Sequence, residues 1–96
     1  MSELKMKMYI LIPEDIPLGH AINSAAHASL ACYLQYEKDA DVRWWRDESF
    51  KKVTVKVTRA EFDEAKQYPD HVLLTESALN NQEVALAFKP RAEWPE

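Results

Sequence analysis

The stretch from residue 8 to residue 34 constrains the fold of this chain more than any other. Met8-Tyr9-Ile10-Leu11-Ile12 is a continuous apolar run, and with Lys7 it reads as a buried, central strand. Pro13-Glu14-Asp15-Ile16-Pro17 breaks that run and makes a loop. The segment from Gly19 to Leu34 is dense in Ala and Ser and holds the only glycine and two of the three histidines. Ala is the strongest helix former and no proline interrupts Ala21 to Lys38, so a long helix is expected from Leu18 or Gly19 to about Glu37 or Lys38.

The phase of that helix gives it two expected faces. Ile22, Ala25, Ala26, Ser29, Leu30 and Tyr33 follow the three-to-four spacing of a buried side. Ala25, Ala26 and Ser29 are small, which suits a close approach to a sheet. His20, Asn23, Ser24 and His27 follow the same spacing on an adjacent side and form a polar stripe rising from the helix N-terminus. Backbone N–H groups unpaired at that end carry partial positive charge and suit an anion or a developing oxyanion.

Downstream, residues 50–57 alternate Val53, Val55 and Val57 with Thr54 and Lys56, a strand with one buried face. Thr58 followed three residues later by Glu61 predicts a capping box and a short helix, stopped at Pro69-Asp70. His71–Thr75 reads as a third strand, Glu76–Asn81 as a turn or short helix, and Glu83–Phe88 as a fourth strand. Val42–Glu48 fits no pattern; its paired Trp44 and Trp45 are placed to cover a sheet edge or a partner. Residues 89–96 form a polar tail that Trp94 is expected to pin. The fold class expected is α/β, a small sandwich with a mixed four-stranded β-sheet flanked by helices in the order β-α-β-α-β-β. Parallel pairing follows in the first half, where the crossovers are long, and an antiparallel pair in the second, where the last connection is short.

Ninety-six residues suit a single domain spanning 1–96. No apolar run reaches the ~20 residues of a membrane span, and Met1 to Lys7 has no signal-peptide core, so neither membrane insertion nor export is expected. The lone Cys32 allows no internal disulfide, which fits a reducing, cytoplasmic setting; deep in the helix, it reads as a small core residue rather than a nucleophile. A net charge of -4 argues against broad nonspecific binding of nucleic acid. Arg43, Arg46, Lys51 and Lys52 do gather near the tryptophans; a solvated loop with aromatic packing accounts for them. The chain has no glycine-rich phosphate loop, so no nucleotide cofactor is expected.

The run Gly19-His20-Ala21-Ile22-Asn23-Ser24-Ala25-Ala26-His27-Ala28-Ser29, set after a strand and a short loop, resembles the type II peptidyl-tRNA hydrolase family. Gly19, His27 and Ala28 match the family pattern in register, and the element order matches over most of residues 5 to 90. The resemblance implies a small α/β sandwich on a mixed four-stranded sheet, often dimeric, that cleaves the ester joining a peptide to tRNA. The chain is divergent within that pattern. His20 stands where the family has lysine, Ser24 where it has glutamine, and Glu76-Ser77-Ala78-Leu79-Asn80 where it has an Asp-Ala-Gly-x-Thr turn.

His27 is the leading catalytic candidate, since an imidazole works as a general base near neutral pH. Glu76, at the end of a neighbouring strand, is the candidate to orient it. His20, Asn23, Ser24 and Asn80 are candidates for substrate binding. An imidazole, with an ordinary pKa of about 6.5, is a weaker phosphate partner than lysine at pH 7. A shared metal is not expected, because His20 and His27 lie about 10 Å apart along a helix axis and zinc draws its ligands within about 2 Å of one point. His71, beside Pro69-Asp70, reads as an exposed strand-end residue. Two functions follow from different classes. One is hydrolysis of peptidyl-tRNA or a smaller acyl ester. The other is a non-catalytic, dimeric binding domain that kept the fold and lost the site. A homodimer is expected in either case, because Trp44 and Trp45 are hard to bury in so small a domain.

Overall fold

The computed structural model describes residues 6–92; Trp94 lies outside them. Strand β1 (Lys7–Pro13) leads into helix α1 (Leu18–Tyr36), short helix α2 (Ala40–Trp44) and a π-type turn (Trp45–Ser49). Strand β2 (Lys51–Val57), helix α3 (Arg59–Ala65), strand β3 (His71–Glu76), a 3-10 turn (Ser77–Leu79) and strand β4 (Gln82–Phe88) follow.

The strands form one mixed sheet in the order β2-β1-β4-β3. β1 pairs in parallel with β2, from Lys7 opposite Lys51 to Pro13 opposite Val57. β4 runs antiparallel to both β1 and β3. β1 is therefore interior, as its unbroken apolar character predicts, and the second half supplies two antiparallel pairs rather than one. β3 runs in the same direction as β1, so Glu76 and the start of α1 stand at the same edge of the sheet.

Each face of the sheet has its own core. Met8, Ile10 and Ile12 of β1 and Ala85 and Ala87 of β4 meet α1 through Ala28 and Cys32, with Trp45 closing one end. Leu86 and Phe88 of β4 face the other way and pack with Phe62 of α3, beside Leu11 and Val57. The α3 capping box is formed: the Glu61 N–H donates to the Thr58 Oγ1 (3.0 Å) and the Thr58 N–H to the Glu61 Oε1 (2.8 Å).

The buried face of α1 differs from the one its spacing predicts. Ser24, Ala28 and Cys32 are its buried residues, while Ala26 is exposed and Ile22 and Leu30 are 62% and 59% exposed. Ala25, Ser29 and Tyr33 are half-buried at the margin. The physical reason is thickness. Against small Ala85 and Ala87, the helix comes closest through small side chains, and the large aliphatics are turned outward. Ala28, fully buried, is thus the point of close approach. Ala28→Leu is expected to destabilise the fold by about 1–3 kcal/mol through overpacking, measured by denaturant melts; an unshifted midpoint would contradict this contact. Cys32 is fully buried and its thiol is pushed up to about 12 by desolvation, in keeping with a core residue.

Trp45 also departs from expectation. It is 1% exposed within one chain, its Nε1–H donates to the Lys51 carbonyl at 2.8 Å, and its ring lies 5.2 Å from that of Phe50. The case for a dimer built on both tryptophans therefore loses one of them, while Trp44 remains 37% exposed. Three of the four basic residues of the cluster have partners within the chain. Arg43 donates to the Glu37 and Lys38 carbonyls, Arg46 pairs with Asp47, and the Lys52 ammonium sits 3.3 Å over the Phe50 ring. Lys89 of the C-terminal segment pairs with Asp39 after α1, at 3.0 Å, which holds the Asp39 carboxyl below its usual range. His71 is half-buried rather than exposed; its Nδ1–H donates to the Tyr68 carbonyl at 2.8 Å and its ring packs edge-on to Phe88.

Candidate active site at the N-terminus of α1

The loop after β1 delivers the chain to α1 through Pro17, whose extended backbone provides no side-chain cap, and the first turn carries no acid. At this end the Ala21 N–H donates to the Pro17 carbonyl at 2.9 Å. Side-chain acceptors thus leave the leading N–H groups of the helix to solvent or a ligand. Gly19 faces open space: apart from its chain neighbours and the local helix backbone, nothing lies within 4 Å of where a Cβ would stand. Arg59 fixes the loop from the far side. Its guanidinium forks onto the Asp15 carboxylate at 2.7 and 3.1 Å and reaches the Glu83 carbonyl at 2.9 Å. That pairing holds the Asp15 carboxyl below its ordinary range.

Asn23 and His27 are exposed on α1 and His20 is half-buried in its first turn. Ser24 is 2% exposed, on the side of the helix that meets the sheet, and so departs from the polar stripe. Glu76 ends β3 half-buried. Its Oε2 accepts the Ala78 N–H at 3.0 Å, so the carboxylate starts the 3-10 turn that follows. Asn80 and Asn81 take left-handed conformations, with φ 55° and 60°, and turn the chain back into β4. Asparagine tolerates that region better than most residues. The fold brings the start of α1, Glu76 and Asn80 to one edge of the sheet. Among the described residues, no hydrogen bond or ion pair joins His27 to Glu76.

On the side of α1 toward β2, a groove of about 530 Å³ opens between Leu18, Ile22 and Ala25 of the helix and Thr54 and Lys56 of the strand. Thr54 and Lys56 are not among the sequence candidates. The alternation of β2 gives their shared face but not that α1 lies on it. Among the described residues, no group of three His, Cys, Asp or Glu side chains could hold a metal ion, and no helix is long and apolar enough to cross a membrane.

The family model described as peptidyl-tRNA hydrolase PTH2 covers residues 6–91. No curated protein matches the chain.

Proposed function

The chain belongs to the type II peptidyl-tRNA hydrolase family, and from that footing we propose that it cleaves the ester joining a peptide to tRNA. The observation that carries the reading is positional. The Gly19–Ala28 run forms the open start of α1, at the same sheet edge as the carboxylate that ends β3. Open α/β sheets bind ligands at that edge.

His27 acts as general base. It takes a proton from water, the water oxygen bonds to the acyl carbon, and the bond from that carbon to the ribose oxygen breaks. The ribose oxygen takes the proton, leaving a free peptide acid and tRNA. Glu76 orients the imidazole once substrate is present. The unpaired N–H groups of α1 meet the oxyanion, and His20, Asn23 and Asn80 hold the substrate. Ser24, buried against the sheet, seats the helix. Smaller acyl esters are open to the same chemistry, and the reaction belongs in the cytoplasm.

A second reading, a binding domain without catalysis, draws on two observations. The Glu76 carboxylate is already engaged by the Ala78 N–H, and the chain carries a net charge of -4. Hydrolysis of peptidyl-tRNA by the purified chain separates the two. The parent is expected to release free tRNA. His20→Lys, which restores the family residue, is expected to keep that rate or raise it by up to about fivefold, the roughly 1 kcal/mol of an exposed ion pair. No release by either protein would reject the hydrolase and favour the binding domain.

A further inference from the structure

Among the described residues, β2 borders the sheet, with β1 on one side and no strand on the other. Its run Lys-Lys-Val-Thr-Val-Lys-Val holds Lys51, Lys52 and Lys56 and no acid, although the whole chain has a net charge of -4. All of these lysines are exposed. Lys52 is engaged, with its ammonium over the Phe50 ring and donating to the Phe50 carbonyl. Among the described residues, no ion pair holds Lys51 or Lys56.

Lys51 stands opposite Lys7 in the parallel ladder, and Lys7 stands opposite Arg91 beyond the end of β4. The Lys7 N–H donates to the Arg91 carbonyl at 3.0 Å and the Arg91 N–H to the Lys7 carbonyl at 3.1 Å. Cations thus follow one another across adjacent segments, spaced about 5 Å apart along the ladder. Like charges placed directly opposite are destabilising. Lysine on a border strand discourages pairing with another sheet, but that does not call for a second cation on interior β1. A row of this kind suits an anion.

Lys56 ties the row to the candidate site. It lines the groove beside Leu18, the first residue of α1, and pairs in register with Ile12 near the end of β1. From Lys56 to Lys51 the strand covers about 17 Å at roughly 3.3 Å per residue. Exposed Thr54 stands between them. The two lysines leave opposite faces of β2, but one polymer along the open side of a border strand reaches both.

We propose that the open side of β2 carries the phosphate backbone of the tRNA. Lys56 takes the phosphates nearest the ester, and Lys51 and Lys7, beside Arg91, take those about 17 Å further along. The orientation rests on the hydrolase reading, because an ester seated at the open start of α1 sends its RNA past Lys56. Nucleic acid repeats its charge along its length, which cations at both ends of β2 answer. Such contacts position the polymer and carry no sequence information, and a threonine hydroxyl is a further phosphate donor.

The test is binding of deacylated tRNA by the purified chain, followed against salt concentration. Each phosphate contact adds about 0.7–0.9 to the slope of log affinity against log salt. Lys51→Gln, Lys56→Gln and Lys7→Gln are each expected to lower the slope by that amount and to weaken binding about five- to eightfold at roughly 0.1 M salt. Lys38→Gln, an exposed cation beyond the end of α1, should bind as the parent does, and all variants should keep the parent's circular dichroism. A parent that does not bind tRNA, unchanged slopes in Lys51→Gln and Lys56→Gln, an equal loss in Lys38→Gln, or displacement of the tRNA by polyglutamate of equal charge would each overturn the surface. Hydrolysis is read separately on peptidyl-adenosine, an ester too short to reach Lys51, which the parent and Lys51→Gln are expected to cleave at equal rates. Lysine-dependent tRNA binding without cleavage of any ester would end the hydrolase reading and leave the surface standing. Cleavage with lysine-independent binding would do the reverse.

Discussion

His27→Ala is expected to lower kcat/KM for peptidyl-tRNA by about 10²–10⁴-fold, the usual contribution of a positioned acid–base group. The imidazole is on an exposed position of α1 and packs into neither core. Its removal should therefore leave the denaturation midpoint within about 0.5 kcal/mol of the parent, so the activity loss would not come from unfolding. Glu76→Gln is a companion measurement. The amide oxygen can still accept the Ala78 N–H and keep the turn, while the charge that would orient the imidazole is gone. A smaller loss than His27→Ala, mainly in kcat, is expected. Full activity in His27→Ala would end the hydrolytic role of this residue.

Trp45→Ala is expected to destabilise the fold by about 3–5 kcal/mol, the range for deleting a large buried aromatic. That is a large share of the roughly 5–15 kcal/mol that holds a domain of this size together. The indole closes the α1-side core, and its Nε1–H satisfies the Lys51 carbonyl at the start of β2. Trp44→Ala, one residue earlier and 37% exposed, should change stability by less than about 1 kcal/mol. Equal effects in urea melts would show that the two indoles are not sorted as described.

The two tryptophans also show where sequence reading stops. Adjacent identical side chains carry no information about which is buried. That is decided by the π-type turn, which ends at Phe50 with φ 54°, a left-handed position with no glycine to announce it. Strand positions and the extent of α1 were legible because apolar continuity, alternation and proline placement act locally. The capping box was legible because it needs just Thr58 and Glu61. The face of α1 was not, because size and hydrophobicity pulled apart there. Small Ser24, Ala28 and Cys32 won the interior by fitting close to Ala85 and Ala87, a constraint written on another strand. Gly19 and His27 stood out in the sequence through their match to a family pattern. Their shared edge with Glu76 depends on β3 running parallel to β1, which is fixed by β4 lying between them.

That placement of β4 bears on how the chain comes to fold. Its residues Val84 to Phe88 are all buried, Leu11 pairs with Leu86 across almost the whole sequence, and β3 reaches the rest of the sheet through β4. A fragment ending before Gln82 would hold the parallel β1–β2 pair on one side and a stranded β3 on the other, with both cores missing their central wall. Closing so long a loop is slow and gains little until its contacts form. During synthesis the earlier elements must therefore wait, with their apolar faces open, until the last strand arrives and the sheet assembles in one cooperative step.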